Sequence, residues 1–150
     1  MNDLHLPPAG HERRRGEQPP IKMLHVITRM IRGGADENTL YTVRGLDPTR
    51  YTVDLVVGHG SETECLEGLD PARVTRLDAL VRDPHPIQDL VALVQLAWMI
   101  RRNRYQIVHT HTAKAGFLGR LAAALAGTPV IIHTVHGVTF HAHKIGRAHV

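Results

Sequence analysis

At 150 residues and 43% apolar content, the chain has the size of a single domain with one buried core, and a composition this apolar excludes disorder throughout. Aromatic residues make up 4%, too few for a base-stacking nucleic-acid surface, and part of the net charge of +4 lies in Arg13-Arg14-Arg15 of a proline-rich leader. The single cysteine, Cys65, excludes an intramolecular disulfide and points to the cytoplasm, while no window approaches the ~18 unbroken apolar residues of a membrane span.

Residues 1–20 show neither helical nor strand period and read as a disordered arm. Ile21 to Thr28 is a short apolar run ending near the pair Gly33-Gly34, which predicts a buried parallel strand and a turn. Ala35 to Leu46 follows with helical spacing and with Asp36 and Glu37 in its first turn, where the helix dipole favours acids. Tyr51 to Val57 predicts a second strand, Ser61 to Leu69 a short helix, and Arg73 to Leu77 a weaker third strand before a loop marked by Pro84 and Pro86.

From Ile87, the residues Leu90, Val91, Val94, Trp98 and Met99 keep a helical stripe through Arg102, and Arg101, Arg102 and Arg104 match the dipole at its end. Gln106 to Thr110 predicts a fourth strand, Lys114 to Ala126 a helix stopped by Gly127, and Pro129 to Thr134 a fifth strand. Alternation of strand and helix with short connections predicts a Rossmann-like doubly wound α/β fold, a parallel sheet with helices on both faces. Residues 21–143 form that domain in this reading, and residues 144–150 read as a non-native tail, because they resemble a translated library adapter.

In such a sheet the ligand crevice lies beyond the carboxyl ends of the strands, where the strand order reverses, usually between the first and fourth. Gly33 and Gly34 would let the backbone approach a ligand and leave helix-start amides free for an anion, although such a pair is more often plain turn chemistry. His109 and His111, two apart on one strand, share a face, and His133 and His136 lie on the neighbouring strand and its loop. Four histidines invite a metal reading, but the chain lacks paired cysteines and a His-Glu-x-x-His spacing. The expectation is therefore no metal and no cofactor: some histidines are buried and hydrogen-bonded, and others line the crevice. Lys114 opposes the dipole at a helix start, so either an anionic ligand or solvent accounts for it. Arg101, Arg102 and Arg104 read first as dipole-matched charges and second as contacts to an anionic bilayer.

Three stretches, Leu24 to Thr39, Ile107 to Gly116 and Ile132 to Gly137, resemble the amino-terminal domain of family-4 GT-B glycosyltransferases, over residues 21–143. The His-Thr-His-x-x-Lys-Ala-Gly stretch is the more specific match. The resemblance implies a retaining transferase that moves a sugar from a nucleotide-diphosphate sugar to an acceptor hydroxyl, without a required metal, in polysaccharide or lipid-linked glycan assembly. It implies that Gly33 and Gly34 approach the donor diphosphate, that His136 contacts the transferred sugar near the reacting carbon, and that His111, Lys114 and Gly137 line the substrate side. It further implies a peripheral site at the inner face of the membrane and a second, nucleotide-binding domain that has no counterpart in these residues. Two alternatives share the fold: a nucleotide-sugar 2-epimerase, which would want a carboxylate base where these loops offer almost none, and a non-catalytic binding module or split subunit.

Overall fold

The computed structural model describes residues 18–31 and 34–136; Gly33, Gly137, most of the expected arm and the expected tail lie outside them. Five strands, β1 (Ile21–Ile27), β2 (Tyr51–Gly58), β3 (Val74–Leu77), β4 (Ile107–His111) and β5 (Val130–Thr134), form one sheet in the order β3-β2-β1-β4-β5. Every pairing is parallel. Three helices, α1 (Gly34–Gly45), α2 (Pro86–Asn103) and α3 (Ala113–Ala126), connect them. The expected α/β Rossmann-like architecture is the one observed.

Alternation along the central strands decides the two layers. Leu24, Val26, Val56 and Val108 pack with Leu96, Ile100, Leu118 and Ala122 of α2 and α3. Ile27, Leu55 and Val57 turn to the other face and meet Leu40 of α1 with Leu66 and Leu69. Both faces of β1 and β2 are therefore apolar, which is why these strands read as unbroken hydrophobic runs.

Three local expectations change. The short helix expected over Ser61 to Leu69 is a 3-10 turn, Glu64–Leu66, since Ser61, Thr63, Cys65 and above all Gly68 offer little helix propensity. The third strand begins at Val74, after a second 3-10 turn at Pro71–Arg73 in which the Asp70 carboxylate accepts from the Ala72 N–H at 2.9 Å. The stripe of Leu90, Val91, Val94 and Trp98 points away from the sheet, while Ala92, Leu96 and Ile100 face it. Because α2 is apolar on both sides, periodicity finds the helix but not its inward face.

The ends of α2 follow capping chemistry. Pro86 occupies the first helical position, where its missing N–H costs nothing. The His85 ring accepts from the Gln88 N–H while Asp89 accepts from the His85 N–H at 3.2 Å, a reciprocal cap. Arg104 closes the helix in the left-handed region, at φ 55°.

Gly58 lies where β2 ends beside β1 and the chain leaving β3. A Cβ there would stand 2.1 Å from the Thr28 carbonyl oxygen and 2.2 Å from that of Leu80. Both obstacles are backbone, so neither can rotate away. Gly58→Ala is expected to destabilise the fold by about 3 kcal/mol, the upper end of overpacking costs, whereas Gly45→Ala, with nothing within 4 Å, is expected to change stability by less than about 0.5 kcal/mol. Chemical denaturation of the two variants measures the contrast.

Candidate active site

The strand order reverses between β1 and β4: the chain leaves β1 toward α1 on one face and β4 toward α3 on the other. This opens a crevice at their carboxyl ends. Two threonines close its floor. Thr28 Oγ1 and Thr112 Oγ1 are 2.8 Å apart, and the Ala115 N–H donates to Thr28 Oγ1 at 3.0 Å. Thr28 thus caps α3 from the neighbouring strand, while Thr112, the residue at the cap position, makes no side-chain cap. Thr112 itself sits at φ 65°, ψ 160°, a region that costs a non-glycine residue about 1–3 kcal/mol and that is found at ligand clamps.

Beneath this crevice lies a cluster of imidazoles that the strand register assembles. His25 pairs with His109 and Ile27 with His111, so three histidines occupy one face of two adjacent strands. His25 and His111 are 0% and 1% exposed. The His25 Nδ1 to His111 Nε2 distance is 3.0 Å, and His111 Nδ1 lies 3.0 Å from His136 Nε2. His109 Nε2 bonds Thr134 Oγ1 at 2.7 Å. A chain of rings runs from the sheet interior to His136 at the crevice.

Burial holds the inner rings neutral. It lowers His25 from the ordinary 6.5 to about 3, helped by the neighbouring His109. It lowers His111 equally far, to about 3, with His109, His25, His136 and His133 adding repulsion. His109 is lowered for the same first reason. A neutral ring carries one N–H, which fixes the direction of the chain. His25 Nε2 is buried without a partner, and a buried N–H left unpaired is costlier than a buried lone pair. The proton therefore sits on His25 Nδ1, which donates to His111 Nε2. His111 Nδ1–H donates in turn to His136 Nε2. When His136 is neutral, its own proton is then on Nδ1, away from the chain.

Several expected site residues fall elsewhere. His111 is buried beneath His136 rather than open on the crevice wall. The reason is that β4 extends one residue further than expected, into His111. His133 turns to the opposite face, where its Nδ1 bonds Thr110 and its ring lies over Gly116; register with Thr110 dictates this. Lys114 has partners within the protein. Its Nζ is 2.5 Å from Asp89 Oδ1 and donates to the Asp83 carbonyl, so no anionic ligand is needed to explain its position. Gly34 opens α1, as expected of a turn glycine at a helix start.

Two residues were missed. His25 was legible only as part of an apolar strand, and knowing that β1 pairs with β4 would have found it. Asp36 was read as a dipole partner. The structure buries it, 5% exposed, with Oδ2 accepting from the Ile31 N–H at 2.7 Å. Burial raises its carboxyl above the ordinary range, opposed by that hydrogen bond, His136 and Arg29. The first turn of α1 therefore brings to the crevice an acid that the sequence reading left out.

Among the described residues, His25, His109 and His111 are the group able to hold a metal ion, with one ring nitrogen of each within 4.8 Å of the others. Three imidazoles suit a borderline-soft transition metal. Proton linkage gives a separate consequence. Between pH 6.5 and about 3, His25 and His111 are protonated in the unfolded chain and neutral in the fold. The unfolded state then binds more protons, so stability is complete above pH 6.5 and drains as pH falls, by up to about 1.4 kcal/mol per pH unit for each ring. His25→Asn keeps a donor in the Nδ1 position and removes one titrating group. It is expected to reduce the slope of stability against pH between 6 and about 4.5, measured by thermal unfolding across that range.

Comparison with known proteins bears on the family and the fold. The glycosyl transferase 4-like domain family matches residues 33–149. The UDP-Gal:alpha-D-GlcNAc-diphosphoundecaprenol alpha-1,3-galactosyltransferase of Escherichia coli is 34% identical over 125 residues, 83% of this chain and 32% of the relative, so the chain spans about a third of that protein. Among solved structures, Acinetobacter baumannii MurG superposes with a TM-score of 0.62 at 18% identity, over 79% of this chain and 37% of that one. A Listeria monocytogenes protein assigned as a UDP-N-acetylglucosamine 2-epimerase superposes with a TM-score of 0.58 at 17% identity, over 77% and 30%. Likeness at that identity speaks for the fold alone, whereas the sequence match speaks for the family: this chain belongs to the glycosyl transferase 4-like domain family, on a GT-B type Rossmann-like sheet.

Proposed function

We propose that the chain is the acceptor-side part of a retaining glycosyltransferase that moves a sugar from a nucleotide-diphosphate donor to the hydroxyl of a lipid-linked glycan in cell-surface polysaccharide assembly. The observation that carries this reading is the ordered chain of imidazoles ending at His136. A neutral His136 that accepts from His111 at Nε2 carries its proton on Nδ1, a donor suited to a sugar hydroxyl. Buried partners that fix a ring's tautomer also fix its direction, which makes such a donor preorganised. The E. coli relative's name specifies UDP-galactose and a diphosphoundecaprenol-linked acceptor, and the same classes of donor and acceptor are proposed here.

In this reading His136 contacts the transferred sugar, and His111 with His25 positions it. Gly34 begins α1, and Gly33 with Gly34 would present amides to the donor diphosphate; Gly137 would contact the transferred sugar. Lys114 acts through Asp89, by holding the start of α3 against α2. No step in this scheme calls on a metal, and the complete site needs a second, nucleotide-binding domain, because half a cleft neither orients the donor nor stabilises its leaving diphosphate. Work on a lipid-linked acceptor places the protein at the inner membrane surface. The epimerase reading keeps only its fold likeness: Asp36 is a carboxylate at the crevice, but it is buried and engaged by the Ile31 N–H.

In the full-length enzyme, His136→Ala is expected to lower kcat about a hundredfold, the scale of a lost transition-state donor, with the acceptor KM nearly unchanged. Steady-state kinetics decides this, and an unchanged kcat removes His136 from the reaction. The 150-residue chain alone is expected to bind nucleotide sugar no tighter than about 1 mM, since base and ribose contacts belong to the second domain; calorimetry showing a Kd near 1 μM, some 4 kcal/mol tighter, overturns the division of labour.

A further inference from the structure

The imidazole cluster of β1 and β4 has a chemical capacity that its hydrogen bonds leave unused. His25 Nε2 and His109 Nδ1 are both buried without a partner. A buried N–H left unpaired is costlier than a buried lone pair. The proton of His109 therefore sits on Nε2, which donates to Thr134 Oγ1 at 2.7 Å, and both unpartnered nitrogens are lone pairs. His111 adds a third lone pair on Nε2, because its Nδ1–H is directed to His136. The ring centroids stand 4.2 to 5.3 Å apart, and one ring nitrogen of each residue lies within 4.8 Å of the others.

Three unprotonated imidazole nitrogens are a donor set for a divalent ion of the zinc class. The set holds neither carboxylate nor carbonyl, which selects against magnesium and calcium, ions that demand oxygen. Nitrogens on one tetrahedral zinc stand roughly 3.3 Å apart when each bond is about 2.0–2.1 Å. The rings therefore close on the ion by about 1.5 Å at most. Two of the three ligands already have the outer partner that metal-bound imidazoles use, an acceptor for the other N–H: Thr134 for His109 and His136 for His111. His25 alone exchanges a contact, since ligation of His111 Nε2 takes the acceptor of its Nδ1–H. His25 and His111 are 0% and 1% exposed, whereas His109 is only partly buried, so the cluster is reached from the His109 side. Spacing within the chain argued against a metal, but the β1–β4 register adds His25, which spacing does not show.

We propose that His25, His109 and His111 form a zinc(II) site beneath the crevice, and that the ion locks the proton of His111 on Nδ1, toward His136. The ion takes no part in transfer; it takes over from His25 the task of holding His111 in one tautomer. Its consequence for His136 rests on the proposed function, whereas the binding itself does not.

The test strips the 150-residue chain with a chelator and titrates it at neutral pH with cobalt(II), followed by absorption, and with zinc(II), followed by calorimetry. A single cobalt should give the intense visible bands of a four-coordinate site, completed by solvent; zinc should displace it and magnesium should not. Loss of an outer partner costs about 10–100-fold in metal affinity, so Thr134→Val should weaken zinc binding by about tenfold or more and His109→Gln by at least about a hundredfold. Circular dichroism checks that each variant folds, and the milder Thr134→Val decides the matter where His109→Gln does not. Three histidines outside the described residues, His141, His143 and His149, serve as the control, and their joint replacement by Ala should leave the affinity unchanged. No four-coordinate spectrum, undiminished binding in Thr134→Val and His109→Gln, or binding lost with the three control histidines overturns the proposal. Zinc binding is read without donor or acceptor, so its failure leaves the transferase reading standing, and a fully active His136→Ala enzyme leaves the zinc site standing.

Discussion

The pairing of β1 with β4 is the constraint on which the rest of the molecule depends. Those two strands are far apart in sequence, and their connections depart to opposite faces of the sheet, so their shared carboxyl end is the one place where the backbone opens. The same register sets His25 beside His109 and Ile27 beside His111. A slip of one residue would send the imidazoles to the α3 side and replace them with valine and threonine. Crevice and histidine chain are thus two results of a single alignment.

Around that alignment the protein uses short polar side chains as fasteners. Thr28 supplies the helix cap that Thr112 does not. Ser61 accepts from the Met30 N–H at 3.0 Å and donates to the Gly58 carbonyl at 2.8 Å, tying the loop after β1 to the end of β2. At the opposite end of the sheet, the buried Tyr105 hydroxyl donates to Asp54 at 2.6 Å, and Arg73 meets the same carboxylate at 3.1 Å. The contacts of Thr28, Ser61 and Tyr105 satisfy polar groups that burial would otherwise leave unpaired. The loops of the crevice are consequently held by the strands, which suits a site that must present fixed donors.

The histidine chain and the outer face of α2 lie in different physical settings. The first holds a polar group in one direction inside a low-dielectric setting, where a fixed dipole is worth most. The second carries apolar area and cationic charge on the flank of the sheet, away from the crevice.

Much of this was legible in the chain itself. Strands rich in β-branched residues, helices with acids at their starts and glycines between them determine a doubly wound sheet, because burial on both faces leaves few other arrangements. The His-Thr-His stretch could be placed at the carboxyl end of β4 from strand order alone. Period-two spacing on β4 put His109 and His111 on one face. What the sequence could not decide was which distant residue lies opposite, since pairing partners are set by tertiary register and not by local pattern. His25 entered the site that way, His133 left it, and Lys114 found Asp89 across a helix interface. The inward face of α2 was likewise undecided: both of its sides are apolar, and only packing against the sheet chose Ala92, Leu96 and Ile100 for the core and left Leu90, Val94 and Trp98 outside.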